Sequence, residues 1–360
     1  MDCGRSQFIC SFNYTAFYVG EGFKIFTFIV TCYQQSNVVV MALESVKYQI
    51  ERYGQGRTFQ IIVADDGSTD GSRAVIQRWT EENRGLFEKI DLLFREENAG
   101  ICRNYVEALR AVEGEQFVKV DGDDLLAPYN VFELTELLSE YDIVCPAFIK
   151  FSGPGSLVKR YNVYLEFVLQ QFIRGKTLLR SVKLGCPLSA ATIYRRSLLT
   201  ESVYDFILQF RTVNDRACFQ KIISENPGVK TCYVNRPVIL YRISDTSISN
   251  FNSPSRRLHN QEIGRLCRVQ RKAERSPLFR LLLLLQEKSA VFRASPSGFL
   301  RFFRFFSPYF AIMLGLCIAH PFSIRSMERE LVDRHWQDCA AHYRQIEAET
   351  AKFLAQSGKK

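Results

Sequence analysis

Two short acidic runs each follow an apolar stretch. Asp65-Asp66-Gly67-Ser68-Thr69-Asp70 comes directly after FQIIVA, and Asp121-Gly122-Asp123-Asp124 directly after QFVKV. Carboxylates at a strand end accept hydrogen bonds from a base edge or a ribose, and Gly67 permits a tight turn there. An ordinary strand-to-helix turn, with Ser68 or Asp70 capping the next helix, accounts for the same residues. The second run crowds three carboxylates, which repel one another unless a cation sits among them. A hard divalent ion with oxygen ligands meets that need and commonly also binds substrate phosphates. A solvated acidic turn is the alternative. The run is not an EF-hand loop, because its ligand positions and terminal Glu are absent.

Three further places carry reactive types. Asp215, in RTVNDRACFQKII, is a candidate general base, and all four histidines lie at position 259 or later. A base in the body of the chain is therefore a carboxylate, a Tyr or a Lys. Thr212 to Asp215 also has capping-box spacing, which would leave Asp215 merely favouring a helix N-terminus. Arg242 has the fork geometry to pair with phosphate oxygens, or it is a surface arginine on an edge strand. His335, Cys339 and His342 share one helical face with zinc-ligand chemistry, although Trp336 and its neighbours read as an ordinary amphipathic helix.

The elements that position these residues follow from period and punctuation. Residues 24–31 (KIFTFIVT) and 59–64 (FQIIVA) read as buried strands, followed by shorter ones over 90–94 and 116–120. Between them lie helical stretches: 36–52 capped by Ser36 and ended by Gly54-Gln55-Gly56, then 71–83, then a helix opened by Asn98 and ending near Gly114. This alternation predicts a mostly parallel α/β sheet covered on both faces, with ligands outside the carboxyl ends of the strands. Three strands end on polar residues there: Thr31-Cys32-Tyr33, Asp65-Asp66 and Asp121. Farther on, 141–151 reads as strand broken by Pro146, with a turn over 152–155. Residues 161–174 and 215–223 read as helices. Residues 186–195 read as strand, and 230–243 as an edge strand because Pro237 lies inside it.

Composition bounds the rest. The chain has 360 residues, 47% hydrophobic and 24% charged, enough for a substantial core. Its 11 cysteines are odd in number and include no C-x-x-C pair, which points to a reducing compartment. No signal peptide and no uninterrupted spanning segment are expected, so the localisation read from sequence is cytoplasmic. From residue 251 onward 19 Lys/Arg stand against 9 Asp/Glu, so a near-neutral body carries a basic C-terminal piece. The expected division is an arm over 1–22, a domain over 23–252 with a nucleotide-binding half (23–125) and an acceptor half (126–252), and a basic helical region over 253–360.

Taken in order, FTFIVTCYQQ, VADDGSTDGS, REENAGICRNYVEAL and KVDGDDLLAP resemble the family-two glycosyltransferases of GT-A fold, over roughly residues 26–250. The resemblance implies an inverting transfer from a nucleotide-sugar donor, a UDP-sugar being favoured, to a glycan or lipid-linked hydroxyl in polysaccharide or glycolipid synthesis. It implies that Asp66 recognises the base, and that Asp121 and Asp123 form the ribose and metal site for Mn²⁺ or Mg²⁺, with Asp124 a neighbour. Asn98, Gly100 and Arg103 would wall the nucleotide and sugar, with Thr31, Tyr33, Asp65 and Arg242 completing the donor site. Asp215 would be the base, although Asn214 stands where the family usually has Glu. A nucleotidyltransferase would want a Gly-rich basic loop after the first strand, which TCYQQSN is not; a binding module without catalysis is the other alternative.

The basic piece is read as an interfacial element. Residues 256–304 hold 12 Lys/Arg and 3 Asp/Glu, and SGFLRFFRFFSPYFAIMLGLCIAHPF puts Arg301 and Arg304 on one helical face beside Phe299, Phe302, Phe303 and Phe306. Basic and aromatic residues flanking a short apolar segment suit an anionic membrane surface; packing on the catalytic domain is the plainer reading. No nucleic-acid-binding signature is present, and no nucleic-acid partner is expected.

Overall fold

The computed structural model describes residues 25–151, 176–185, 191–244, 254–295, 297, 299, 306–319 and 321–356. The expected arm over 1–22, the turn over 152–155, the helix over 161–174 and Phe302 and Phe303 lie outside these residues. Strands β1 (Ile25–Cys32), β2 (Thr58–Asp65), β3 (Lys89–Phe94) and β4 (Gln116–Asp121) form a wholly parallel sheet in the order β3-β2-β1-β4. Parallel neighbours require crossovers, and helices α1 (Val39–Tyr53), α2 (Ser72–Glu82) and α3 (Ile101–Arg110) supply them. Along β1 the side chains alternate between two cores. Phe26, Phe28 and Val30 pack with Leu43, Val46 and Trp79, while Ile29 packs with Tyr105, Val106 and Leu109.

A second, separate sheet follows along the chain. It contains β5 (Leu125–Leu126), β6 (Ile143–Phe151), β7 (Ile193–Tyr194) and β8 (Thr231–Arg242) in the order β5-β8-β6-β7. Strands β6 and β8 run parallel, whereas β5 and β7 pair antiparallel at the edges. The edge expected for 230–243 is therefore corrected, since β8 lies between two neighbours. Pro237 is tolerated because it stands at a register irregularity opposite Ala147. Pro146 likewise shifts the register without ending β6. Of the strand expected over 186–195, only Ile193–Tyr194 is strand among the described residues.

The remaining helices are α4 (Val131–Glu136), α5 (Lys176–Leu184), α6 (Glu201–Ile207), α7 (Asn214–Glu225), α8 (Pro254–Ala273), α9 (Pro277–Arg293), α10 (Pro308–Ala319) and α11 (Pro321–Gln356). Leu266 and Cys267 of α8 and Ala290 of α9 are buried in the core beneath α3 and α7. Cys339, Tyr343 and Ile346 of α11 pack with Met41, Leu125 and Phe151, and Arg78 stacks over the Phe353 ring at 3.9 Å. The basic C-terminal region thus shares the cores of the preceding chain. Among the described residues no helix is long and apolar enough to cross a membrane.

Candidate active site

The strand register aligns the polar ends at one edge of the first sheet, with Thr31 opposite Asp121 and Cys32 opposite Asp65. The 65–70 turn is built largely from its own carboxylates. Asp65, fully buried, accepts the Ser68 N–H and the Arg73 Nε–H through Oδ1, each at 2.9 Å. Asp70 accepts the Ser36 amide at 2.9 Å, while Ser68 and Ser72 hydroxyls accept the amides of Gln34 and Gln35. Helix α1 begins at Val39 with Val38 at its N-cap, so the expected serine cap is not realised. Thus the turn is tied to the loop after β1, where Tyr33 projects with 45% of its surface exposed.

Asp66 faces the loop before α3. It accepts the Ala99 N–H at 2.9 Å and the Gly100 N–H at 2.8 Å. Burial raises its pKa, and these two amides oppose that shift. Gly67 permits this closure: its φ is +81°, and a Cβ there would come within 2.6 Å of Asn98 N. Gly100 is likewise left-handed at +97°, so α3 begins at Ile101 and not at Asn98. Arg211 crosses above Gly100 and donates to the side chain and carbonyl of Asn98. Arg103 lies exposed in the first turn of α3.

The acidic turn after β4 has a counter-ion that the motif reading missed. Lys119 Nζ lies 2.8 Å from Asp121 Oδ1, and Thr31 Oγ1 donates to the same oxygen at 2.6 Å. Burial alone would raise the Asp121 pKa, but Lys119 and these hydrogen bonds outweigh it and hold the carboxyl below its usual range. At Asp123 the balance goes the other way: burial first, then the charge of Asp121, outweigh Arg242 and Lys119 and push it up to about 6. Asp124 is buried and raised by burial and by both neighbours. Arg242 pins the turn from β8. Its N–H donates to Asp124 Oδ1 at 2.8 Å, its Nε to the Asp123 carbonyl at 2.7 Å, and its guanidinium lies 4.6 Å from the Phe151 ring centre.

Two carboxylates of unequal acidity, Asp121 and Asp123, fit a divalent cation that takes its remaining ligands from substrate oxygens and water. Among the described residues there is no ready cluster of three His, Cys, Asp or Glu. The electrostatic frustration at Asp123 is what such an ion would relieve.

Asp215 occupies the first turn of α7, and Asn214 Nδ2 donates to its Oδ1 at 3.1 Å. Burial raises the Asp215 pKa, Lys119 lowers it and Asp121 raises it, so Lys119 lies within electrostatic reach of both carboxylates. The capping-box alternative is not realised, because α7 has Val213 at its N-cap and no side-chain cap. The preceding loop is held from α8 instead. Glu262, buried, accepts the N–H groups of Arg211 and Thr212, and the His259 ring contacts the Thr212 carbonyl at 3.1 Å. Lys119 was visible in the sequence as a lysine inside an apolar strand, two residues before Asp121 and so on its face. Arg211 and Glu262 carry no local signal.

His335 and His342 turn into the body. His335 contacts the Tyr129 hydroxyl at 2.8 Å and the Asn235 carbonyl at 3.1 Å, and His342 the Leu126 carbonyl at 3.0 Å. Cys339 is buried between them in the core of α11. These three residues dock a helix.

Residues 27–202 match the family described as Glycosyl transferase family 2. A teichoic acid poly(glycerol phosphate) polymerase of Staphylococcus epidermidis is 32% identical over 116 residues, 32% of this chain but only 15% of that protein. Among solved structures, S. aureus TarS 1-349 in complex with UDP-GlcNAc aligns at a TM-score of 0.51 and 17% identity, over 91% of each chain. The mannosyltransferase PcManGT from Pyrobaculum calidifontis, in complex with GDP-Man and Mn²⁺, aligns at 0.51 and 17%, over 91% of this chain and 86% of that one. At such identities the structural likeness is one of fold.

Proposed function

The chain carries a glycosyl transferase family 2 domain over residues 27–202, and on that premise we propose an inverting glycosyltransferase that moves a sugar from a nucleotide-sugar donor to a hydroxyl. The observation that carries the reading is the convergence of Thr31, Lys119 and Asp121 at one strand edge, with Asp215 held in the field of the same lysine. The donor lies across the strand ends, with Asp65 and Asp66 on the base side and Asn98, Gly100 and Arg103 along the wall. Thr31, Tyr33 and Asp121 take the ribose side, and Arg242 faces the diphosphate. A UDP-sugar is the favoured donor, and a glycan or lipid-linked hydroxyl in polysaccharide or glycolipid synthesis the favoured acceptor.

Asp121 and Asp123 would hold Mn²⁺ or Mg²⁺, which when bound offsets negative charge on the departing nucleotide diphosphate. Asp215 takes the acceptor proton as the hydroxyl attacks the anomeric carbon from the face opposite the leaving group. Burial suits it to that task by raising its proton affinity. Asn214 donates a hydrogen bond to Asp215 that a carboxylate at this position could not donate, fixing the base without adding charge. The test is release of nucleoside diphosphate across a donor panel, with and without Mn²⁺, for the wild type and Asp215→Asn. Turnover of one donor that depends on Asp215 supports the proposal. Absence of turnover with every donor, despite donor binding, would identify a binding module.

A further inference from the structure

Helices α9 and α10 bury one side against each other and against α5, through Phe279, Leu283 and Leu184 with Tyr309 and Ile312. Their other sides carry large apolar groups into solvent. On α9 the spacing of Leu278, Leu281 and Leu285 forms a stripe, and Leu278 is 69% exposed. Lys288 continues the face of Leu281 and Leu285. On α10, Leu314 and Ile318 form a second stripe, with Ile318 72% exposed, and even the inward side of this uncharged helix is only partly buried. Phe322, at the start of α11, is 86% exposed. Large apolar side chains exposed in such numbers on neighbouring helices mark an interaction site.

Charge selects the occupant. Residues 254–295 contain ten Lys/Arg and only three acidic residues, Glu262, Glu274 and Glu287. All three acids are engaged: Glu262 by the 211–212 amides, Glu274 by Lys183 at 3.2 Å, and Glu287 by Arg268 at 2.8 Å and Arg271 at 3.1 Å. Arg257, Lys272, Arg275, Arg280 and Lys288 remain exposed on α8, on α9 and in the turn between them. A second copy of the chain would bring the same positive excess against this surface. An anionic lipid bilayer complements it, since apolar side chains enter the interface while Lys and Arg heads stay at phosphate level.

We propose that the exposed faces of α9 and α10, with Phe322, form a docking surface for an anionic lipid bilayer. The helices that carry this surface pack, through their buried sides, close to the residue that follows Asp215. That residue, Arg216, donates to the Leu184 carbonyl at 3.0 Å, and Leu184 packs in the same cluster as Phe279 and Leu283. That docking thereby serves a lipid-linked acceptor rests on the proposed role of Asp215; docking itself does not.

Truncating the C-terminal region would not test this, because α8, α9 and α11 complete the cores. Surface variants of the full chain do. The wild type should float with phosphatidylglycerol-containing vesicles at low salt and far less with pure phosphatidylcholine. High salt should release it only in part, because the apolar contribution is not screened. Leu281→Ser combined with Leu314→Ser and Ile318→Ser should make binding fully salt-extractable. Arg280→Gln with Lys288→Gln should weaken it on the order of tenfold. Far-UV circular dichroism and a cooperative melt equal to wild type would show that each variant is folded. Failure of the wild type to float at low salt, equal binding to neutral vesicles, or folded variants that bind as wild type would overturn the proposal. So would a concentration-dependent dimer abolished by the triple variant, which would assign the surface to a second copy. None of these readouts requires glycosyl transfer, so the surface and the catalytic reading fail separately.

Discussion

Glu262, on the basic C-terminal helix α8, accepts the Thr212 N–H at 3.0 Å, three residues before Asp215. The same carboxylate accepts the Arg211 N–H, and the Cys102 N–H of α3 binds the Arg211 carbonyl at 3.1 Å. A segment outside the residues matched to the family therefore sets the backbone from which Asp215 projects.

Glu262→Ala should leave two largely buried amides without their acceptor. The expected loss is about 1–3 kcal/mol of stability, measured by urea unfolding. Turnover should fall with donor affinity nearly unchanged, because the loosened loop carries the proposed base. Glu262→Gln retains a carbonyl acceptor and should recover most of both. If Ala and Gln variants lose turnover equally while unfolding as wild type, the clamp is not what positions Asp215.

Asp215→Asn should reduce turnover by about 10²–10⁴-fold, the usual range for loss of a general base, while donor affinity measured by calorimetry stays near wild type. Burial favours the protonated form of Asp215. The acid limb of the wild-type rate profile should therefore lie above the ordinary carboxylate range, because the base works only when deprotonated. Equal loss of donor binding in the variant would assign Asp215 to structure.

Lys119→Met should be among the more damaging single changes in the sheet. It keeps the volume but removes the cation 2.8 Å from Asp121, and with it the positive charge that favours the ionised form of Asp215. Leaving the carboxylates without that cation should cost about 3 kcal/mol in thermal or denaturant unfolding and raise both groups' proton affinities. Wild-type stability at pH 7 in Lys119→Met would show that water or another group takes its place.

How much of this was legible follows from where each signal resides. The parallel sheet was readable because FTFIV, FQIIVA and QFVKV are predominantly apolar runs separated by amphipathic helices. The acidic turns were readable because their residues are adjacent. Lys119 was present in the pattern but passed over, since one lysine in a strand looks like a surface position until its burial is known. Arg211 and Glu262 were not legible. Their partners lie 113 and 50 residues away, and nothing in RTVND or NQEIG requires a clamp. Pro237 misled for a physical reason: proline removes one ladder donor, and a register irregularity provides for that within a sheet as an edge does.

The last prediction concerns Asp123, whose pKa rises from an ordinary 3.8 to about 6 through burial and the neighbouring Asp121 charge. The folded protein therefore holds this proton more tightly than the unfolded chain. Stability from this group is fully present below about 3.8, declines as pH rises and is lost above about 6. Asp124, also raised, acts in the same direction, whereas Asp121, held low by Lys119, acts in the opposite one. In the presence of EDTA, Asp123→Asn should remove part of the wild-type decline between pH 4 and 6, because the amide cannot ionise. At pH 7 the metal-free variant should exceed the metal-free wild type by roughly 1–3 kcal/mol. Added Mn²⁺ should then stabilise the wild type and leave Asp123→Asn nearly unchanged, since a neutral amide replaces the proposed ligand. Melting curves from pH 4 to 8, with EDTA and with Mn²⁺, distinguish these outcomes. Identical curves for the two proteins under both conditions would exclude Asp123 as the site of the repulsion and as the metal ligand.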